Sequence, residues 1–187
     1  MTTETMEKPA IAADAKIELR AIKYAAFASE ETSCFEAKVY LDGLFVAVVS
    51  NEGRGGCNMW HTKAPGIEEK LTAWAKANEP VEYLNAEYKA NNDPMDRDAD
   101  SLVDRLLTEW LVLRDMRRAF KTKLLFTKAD KPGLYETTSI KAPMMAKLAD
   151  PANRAAMVPN IPHDRILNWM PEAEALKVYL ANGKREF

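Results

Sequence analysis

Cysteine and histidine are scarce in this chain, two of each, and that scarcity removes several chemistries at once. Cys34 and Cys57 cannot staple a small secreted fold, so stability has to come from an apolar core, with both thiols reduced as in a cytoplasm. No G-x-G-x-x-G follows a strand in a βαβ unit, and neither a G-x-x-x-x-G-K-[ST] loop nor a G-x-S-x-G elbow occurs, which argues against dinucleotide, P-loop and serine-hydrolase chemistry. Long apolar runs are missing too. "LFVAVVS" and the stripe around "LLTEWLVL" fall well short of the roughly 20 residues that span a bilayer, so no membrane partner is expected. The opening "MTTETMEKPAIAAD" lacks the basic-then-apolar order of a signal peptide. Nor is there an excess of either charge: the formal net charge is -2, unlike a strongly basic nucleic-acid binder or an acidic mimic of a DNA backbone. A local basic patch remains compatible with that balance.

What is present is the composition of a folded globular protein, 47% hydrophobic and 29% charged, in a length suited to one domain with a real core. Residues 1–14 have no apolar periodicity and are expected to form a disordered tail, with a single α+β domain over 15–187. "KIELRAI" alternates Ile17, Leu19 and Ala21 against Glu18 and Arg20, the period of a strand with one wet face. In "CFEAKVYLDGLFVAVVSN", Asp42-Gly43 separates two β-rich runs and predicts a two-residue type I′ hairpin. Counting outward pairs Leu41 with Leu44, Val39 with Val46 and Ala37 with Val48 on a core face. Tyr40 with Phe45, Lys38 with Ala47 and Glu36 with Val49 fall on the other. The second strand, apolar on both sides, is expected inside the sheet.

Helical spacing follows in "PGIEEKLTAWAKANEP" through Ile67, Leu71, Trp74 and Ala75, and more ambiguously in "VEYLNAEYKANND". The strongest helix is "DADSLVDRLLTEWLVLRDMRRAFK". Its stripe is Leu102, Leu106, Trp110, Leu113 and Phe120, widened by Val103 and Leu107, with aspartates at its start and Arg117, Arg118 and Lys121 at its end. Ser101 with Asp104 resembles a capping box. "KLLFTKADKPGLYETTS" predicts a second hairpin turning at Lys131-Pro132-Gly133. Short helical pieces follow in "PMMAKLAD" and "PANRAAMV", then a final helix from Pro171 to about Gly183 with Leu176, Tyr179 and Leu180 inward. The fold class expected is an antiparallel sheet built from hairpins with amphipathic helices packed on one side.

Few constellations carry chemistry. Cys57 and His61 are spaced C-x3-H, and Cys34 with His163 completes a permitted zinc set, yet nothing in the spacing brings the four together, so neither a metal nor another cofactor is expected. A Cys-His nucleophilic pair is a matter of geometry that spacing cannot supply. "DPMDRDADS" alternates Asp93, Asp96, Asp98 and Asp100 but lacks the glycine and glutamate of a calcium loop, leaving helix capping as its role. Ser29 and Thr32 of "SEET" suit a turn entering a strand. Arg114, Arg117, Arg118, Lys121 and Lys123 form the densest basic run, either the solvated end of a helix or a phosphate-contacting stripe.

"SNEGRGGCNMWH" is the richest short stretch. Its three glycines permit positive φ, and a run of backbone N–H groups beside Arg54 is suited to an anion nest. Trp60, with Met59 and His61, adds a large amphipathic group of the kind that anchors interfaces, the alternative being that it packs beneath the loop. "FASEETSCFEAKVYLDG" followed by "VVSNEGRGG" resembles small, mostly uncharacterised proteins encoded by bacteriophages and related mobile elements, over roughly residues 20–60. The resemblance implies an accessory protein in a bacterial host cytoplasm and brings no catalytic residue with it. The function expected is therefore non-enzymatic: binding, and so inhibiting or modulating, a bacterial host or defence protein. The expected contact surface is Asn51, Arg54, Gly55, Gly56, Asn58, Trp60 and His61, extended by Glu30 and Glu31. The alternatives are a nucleic-acid-binding module using Arg114, Arg117, Arg118 and Lys121, and an enzyme with an unrecognised site.

Overall fold

Asp42 and Gly43 reverse the chain with φ of 48° and 82°, the pair of positive angles that a type I′ turn requires. The hairpin they close belongs to a computed structural model that describes residues 11–182, without the side chain of His163. Four strands, β1 (Ile17–Tyr24), β2 (Cys34–Leu41), β3 (Leu44–Glu52) and β4 (Met59–Thr62), form one antiparallel sheet in the order β1-β2-β3-β4. β3, apolar on both parities, lies inside that sheet as expected. Helices α1 (Ile67–Asn78), α2 (Ala86–Ala90) and α3 (Ala99–Phe120) follow, then the short pair β5 (Leu125–Thr127) and β6 (Leu134–Glu136). Helices α4 (Ala142–Ala149), α5 (Pro151–Met157) and α6 (Glu172–Asn182) complete an α+β chain. The chain divides into two compact units, Met1–Leu107 and Thr108–Phe187.

The expected register survives only two pairs. Leu41 opposes Leu44 and Tyr40 opposes Phe45, but Val39 then opposes Ala47 instead of Val46, because β3 carries one extra residue at that point. Such a bulge reverses the face of everything beyond it. The buried face is consequently Phe35, Ala37, Val39, Ala47 and Val49, none more than 4% exposed. Val46 and Val48 are only half-buried, and Leu44 at the hairpin tip is 72% exposed. β3 is apolar from Leu44 through Val49, so alternation along it does not reveal the slip. β1 carries a second bulge between Arg20 and Lys23, where Ala21 takes a φ of 52° and is exposed rather than continuing the Ile17–Leu19 face.

Ala15, with Leu71 and Ala75 of α1 and Ala99, Leu102, Val103 and Leu107 of α3, completes the buried apolar side chains described in the first unit. α3 starts on a reciprocal capping box three residues earlier than expected. The Asp98 carboxylate accepts from the Ser101 N–H at 2.8 Å, and the Ser101 hydroxyl accepts from the Asp98 N–H at 2.8 Å, so Ser101 pairs with Asp98 and not with Asp104. Between α1 and α3 the chain makes an excursion whose only helix is α2, capped by the Asn85 side chain. Its ends meet at Glu79. The Glu79 carboxylate takes a two-pronged ion pair from Arg105, and its carbonyl accepts from Arg97 at 3.3 Å. Val81, Leu84, Tyr88 and Met95 on the excursion are exposed. Of the expected N-terminal tail, residues 1–10 lie outside the described residues, while the Ala12 carbonyl is tied to α1 by the Trp74 indole N–H at 2.9 Å.

In the second unit, the expected hairpin pairs Phe126 with Tyr135, the rings stacked at 5.8 Å. Asn168 serves β5 as a surrogate strand: its amide oxygen accepts from Leu125 N–H at 2.8 Å, and its amide nitrogen donates to the Lys123 carbonyl at 2.9 Å. The core there gathers Met116, Leu125, Leu167 and Ala175 in one cluster and Leu124, Leu148 and Ile166 in another. On α3 the most deeply buried positions beyond Leu107 are Leu111, Val112 and Met116. The expected Leu106, Trp110, Leu113 and Phe120 flank that line half-buried. The deepest α6 residue is Ala175, with Leu176 and Tyr179 packed beside it; Gly183 lies outside the described residues.

The bulge separates two valines that simple alternation treats alike. Val39→Thr, which buries a hydroxyl, is expected to destabilise the protein by about 1–3 kcal/mol, and Val46→Thr by less than about 1 kcal/mol. Urea unfolding of both variants measures the difference.

Candidate functional site

The glycine-rich stretch is the connection of a second hairpin. β3 runs on through Asn51 and Glu52, and the chain returns as β4, with Val49 opposite Trp60 and Val48 opposite His61. Asn51, 7% exposed, is the one buried polar residue recorded in the described core, and all its bonding capacity is used. Its amide oxygen accepts from the Thr32 hydroxyl at 2.7 Å and the Gly53 N–H at 2.9 Å. Its amide nitrogen donates to the Gly56 carbonyl and the Asn58 side chain, both at 3.2 Å. A buried amide satisfied in this way fixes the loop around it.

Gly53 locks that loop to a second one. Its carbonyl accepts from the N–H groups of Glu30 and Glu31, each at 2.9 Å. With φ at 86°, a Cβ there would overlap the Ala28 carbonyl oxygen, so only glycine fits. Ser29 closes the partner loop: its hydroxyl donates to the Ala25 carbonyl at 3.0 Å and accepts from the Cys34 N–H at 2.8 Å. These bonds bear out the turn-forming role expected of Ser29, whereas the Thr32 hydroxyl bonds across to Asn51 and Gly55 on the other loop. They also remove the anion nest. Gly53 N–H is taken by Asn51, Gly55 N–H by the Thr32 hydroxyl at 3.3 Å, and the Glu31 carboxylate lies against Gly55, an arrangement that repels an anion.

The contact residues expected from the sequence divide into two groups. Glu30, Glu31, Arg54 and Gly56 are exposed and Gly55 half-exposed on the two stapled loops, so the acidic pair and the glycine turn do come together. Asn51, Asn58 and Trp60 instead face inward. The Trp60 indole N–H donates to Asp100 at 2.7 Å, and Asn58 donates from its backbone to the other Asp100 oxygen at 3.1 Å and from its side chain to Asp104 at 3.4 Å. Trp60 thus clamps the edge strand to the start of α3, the alternative to an exposed anchor. His61 is exposed on the opposite face of β4.

The loops display a residue that spacing did not single out. Phe27, in the 3-10 turn Ala26–Ala28, is 94% exposed. A lone phenylalanine between alanines in "AAFASE" carries no helical or strand period, so only its position on a stapled turn distinguishes it. Beside the loops a cleft of about 540 Å³ opens, with Lys23, Cys34, Ser50, Arg54 and Met59 in its lining.

The basic end of α3 is partly neutralised. Arg117 grips Glu172 with two bonds of 2.7 and 2.6 Å, and Arg114 pairs with Asp115 at 2.9 Å while lying over the Trp110 ring. Among the described residues, Arg118 and Lys121 are exposed and make no ion pair. No three described His, Cys, Asp or Glu side chains gather as a metal site, the side chain of His163 not being among those described. No described helix is long and apolar enough to cross a membrane. Set against protein families, curated proteins and solved structures, the chain matches none.

Burial pushes the Asp104 carboxyl above its usual range; the Asn58 amide opposes that rise and Asp100 and Asp98 add to it. Glu68 is raised by burial and then by Asp100, Glu69 and Asp98. A raised carboxyl takes up protons more readily in the folded state, so its unfavourable effect is full above the raised pKa and is relieved as pH falls through it. Asp104→Asn retains an acceptor for Asn58 without the charge. It is expected to raise Tm at about pH 7.5, the gain shrinking toward zero near about pH 4, as thermal melts across that range would show. Trp60→Ala, which removes both the ring and the Asp100 bond, is expected to destabilise by about 2–4 kcal/mol, read by denaturant unfolding.

Proposed function

We propose that this chain is a non-enzymatic interaction protein of phage type, which docks on a bacterial host or defence protein through its stapled loops and so inhibits or modulates it. The observation that carries the proposal is Phe27, 94% exposed on a turn held by Ser29 and Gly53. Scattered apolar side chains are ordinary on protein surfaces. A phenylalanine with almost its whole ring in water, on a backbone that cannot fold over it, is a different case. Interfaces concentrate their energy in a few aromatic or arginine anchors that enter pockets on the partner, and a rigid presenting loop lowers the ordering entropy lost on binding. Arg54 is a second anchor of the favoured type, and Glu30 and Glu31 supply a charged rim that selects a partner pocket edged with cations. The viral context comes from the resemblance over residues 20–60. The inhibitory outcome follows if the partner surface covered by the loops is one that the partner uses.

Tagged protein incubated with bacterial lysate is expected to retain one host protein in stoichiometric amount, identified by mass spectrometry. Phe27→Asp and Arg54→Glu are expected to abolish that retention while shifting folding stability by no more than about 0.5 kcal/mol, as for other exposed positions. Retention unchanged in both variants would refute the docking assignment.

A further inference from the structure

The outer face of the four-stranded sheet carries a second feature, separate from the docking loops. Pairing across β1, β2, β3 and β4 places Glu18, Arg20, Lys38, Tyr40, Phe45 and His61 on that face. Tyr40 and Phe45 oppose one another across the β2–β3 hairpin, with ring centroids 5.7 Å apart. Three cations surround them: the Arg20 guanidinium lies 4.3 Å from the Tyr40 ring centre, and the Lys38 and Lys63 ammonium groups lie 5.6 and 5.1 Å from that of Phe45. Two acids on the face are already paired, while a third, Glu52, opposite Cys34, lies at its far end. Glu18 binds Lys16 at 2.7 Å and Arg20 at 2.6 Å, and Glu36 binds Lys23 at 2.7 Å. Among the described residues, Lys38 and Lys63 make no ion pair, which leaves two cations beside two aromatic rings.

The geometry points to a binding surface for single-stranded nucleic acid, with Tyr40 and Phe45 stacking bases and Lys38, Lys63 and Arg20 meeting phosphates. Charge complementarity requires an anion. The rings select among anions, because bases splayed from a single strand offer π-faces, whereas those of a duplex are stacked on one another. Long lysine and arginine side chains that rest over half-buried rings can swing to phosphates as a base takes their place. Tyr40 and Phe45, on the turn side of the bulge, lie on the face opposite Val39, while beyond the bulge Ala47 and Val49 turn inward.

The test is fluorescence anisotropy of the full chain with a labelled oligothymidylate of about 12 nucleotides, at low and moderate salt. The wild type is expected to bind, with affinity falling as salt rises, and to bind a duplex of equal length at least about tenfold more weakly. Lys38→Glu with Lys63→Glu is expected to lower affinity about tenfold or more and to flatten the slope of log affinity against log salt by about 1.4, the release from two single-strand phosphates. Tyr40→Leu with Phe45→Leu, which keeps apolar bulk on the hairpin but removes the π-faces, is expected to weaken binding at least about fivefold. Phe27→Asp is expected to leave oligonucleotide binding unchanged, which separates this surface from the docking loops. Absence of binding at low salt, equal affinity for duplex, equal affinity for an acidic polypeptide, or loss only on replacing Arg118 and Lys121 would each overturn the proposal.

Discussion

The side-chain amide of Asn51 makes four hydrogen bonds from a buried position, to Thr32, Gly53, Gly56 and Asn58, and much of the first unit depends on it. Through Thr32 and Gly53 it ties the β1–β2 loop to the β3–β4 loop. Through Asn58 it fixes where β4 begins, and hence where Trp60 meets Asp100 at the start of α3. Removing a partner from such a site leaves polar atoms stranded away from water, so the network is cooperative: its bonds hold together or fail together. Gly53 is the steric counterpart of that amide, the point at which two backbones approach too closely for any side chain.

The parts of the fold that read correctly from the sequence are those governed by local chemistry. Asp42-Gly43 announces its turn because few other dipeptides accept two positive φ angles, and α1 and α3 announce themselves through apolar spacing and charged ends. The register of β3 was hidden because Leu44 through Val49 are all apolar, so a one-residue slip leaves the hydropathy pattern unchanged. Only the tertiary environment distinguishes Val46, the inserted residue, from Ala47, which packs inside. The break at Ala21 is similarly silent, since nothing in alanine marks a left-handed backbone. The α3 cap was displaced by three residues for a related reason: Asp98, Ser101 and Asp104 are all competent capping residues, and the choice rests on where the preceding chain enters.

The candidate site was half legible. Clustered glycines and the acidic pair Glu30-Glu31 mark loops, and the structure brings those loops together. Trp60 is the residue whose role changed most, from exposed anchor to internal clamp, because an indole serves either purpose and the acceptor that decides between them, Asp100, lies forty residues away along the chain. Phe27 was passed over for the opposite reason. Exposure cannot be read from a residue that belongs to no periodic pattern. Tyr40 and Phe45 were legible as a pair on the face away from Val39, but the cations that reach them from outside the hairpin, Arg20 and Lys63, were not.

The Glu79 clasp bears on how this chain can change over time. Arg97 and Arg105 grip the same residue from the far end of the excursion, so the two ends of that segment are held together whatever lies between them. Closing a longer loop across a fixed gap adds only about 0.6 kcal/mol for each doubling of its length. Residues 80–96 are thus a place where insertions, deletions or an entire foreign peptide can be accepted with little effect on the sheet, which makes this segment the natural site for grafting an epitope or a fluorophore, and the stretch most free to diverge in descendants of the gene.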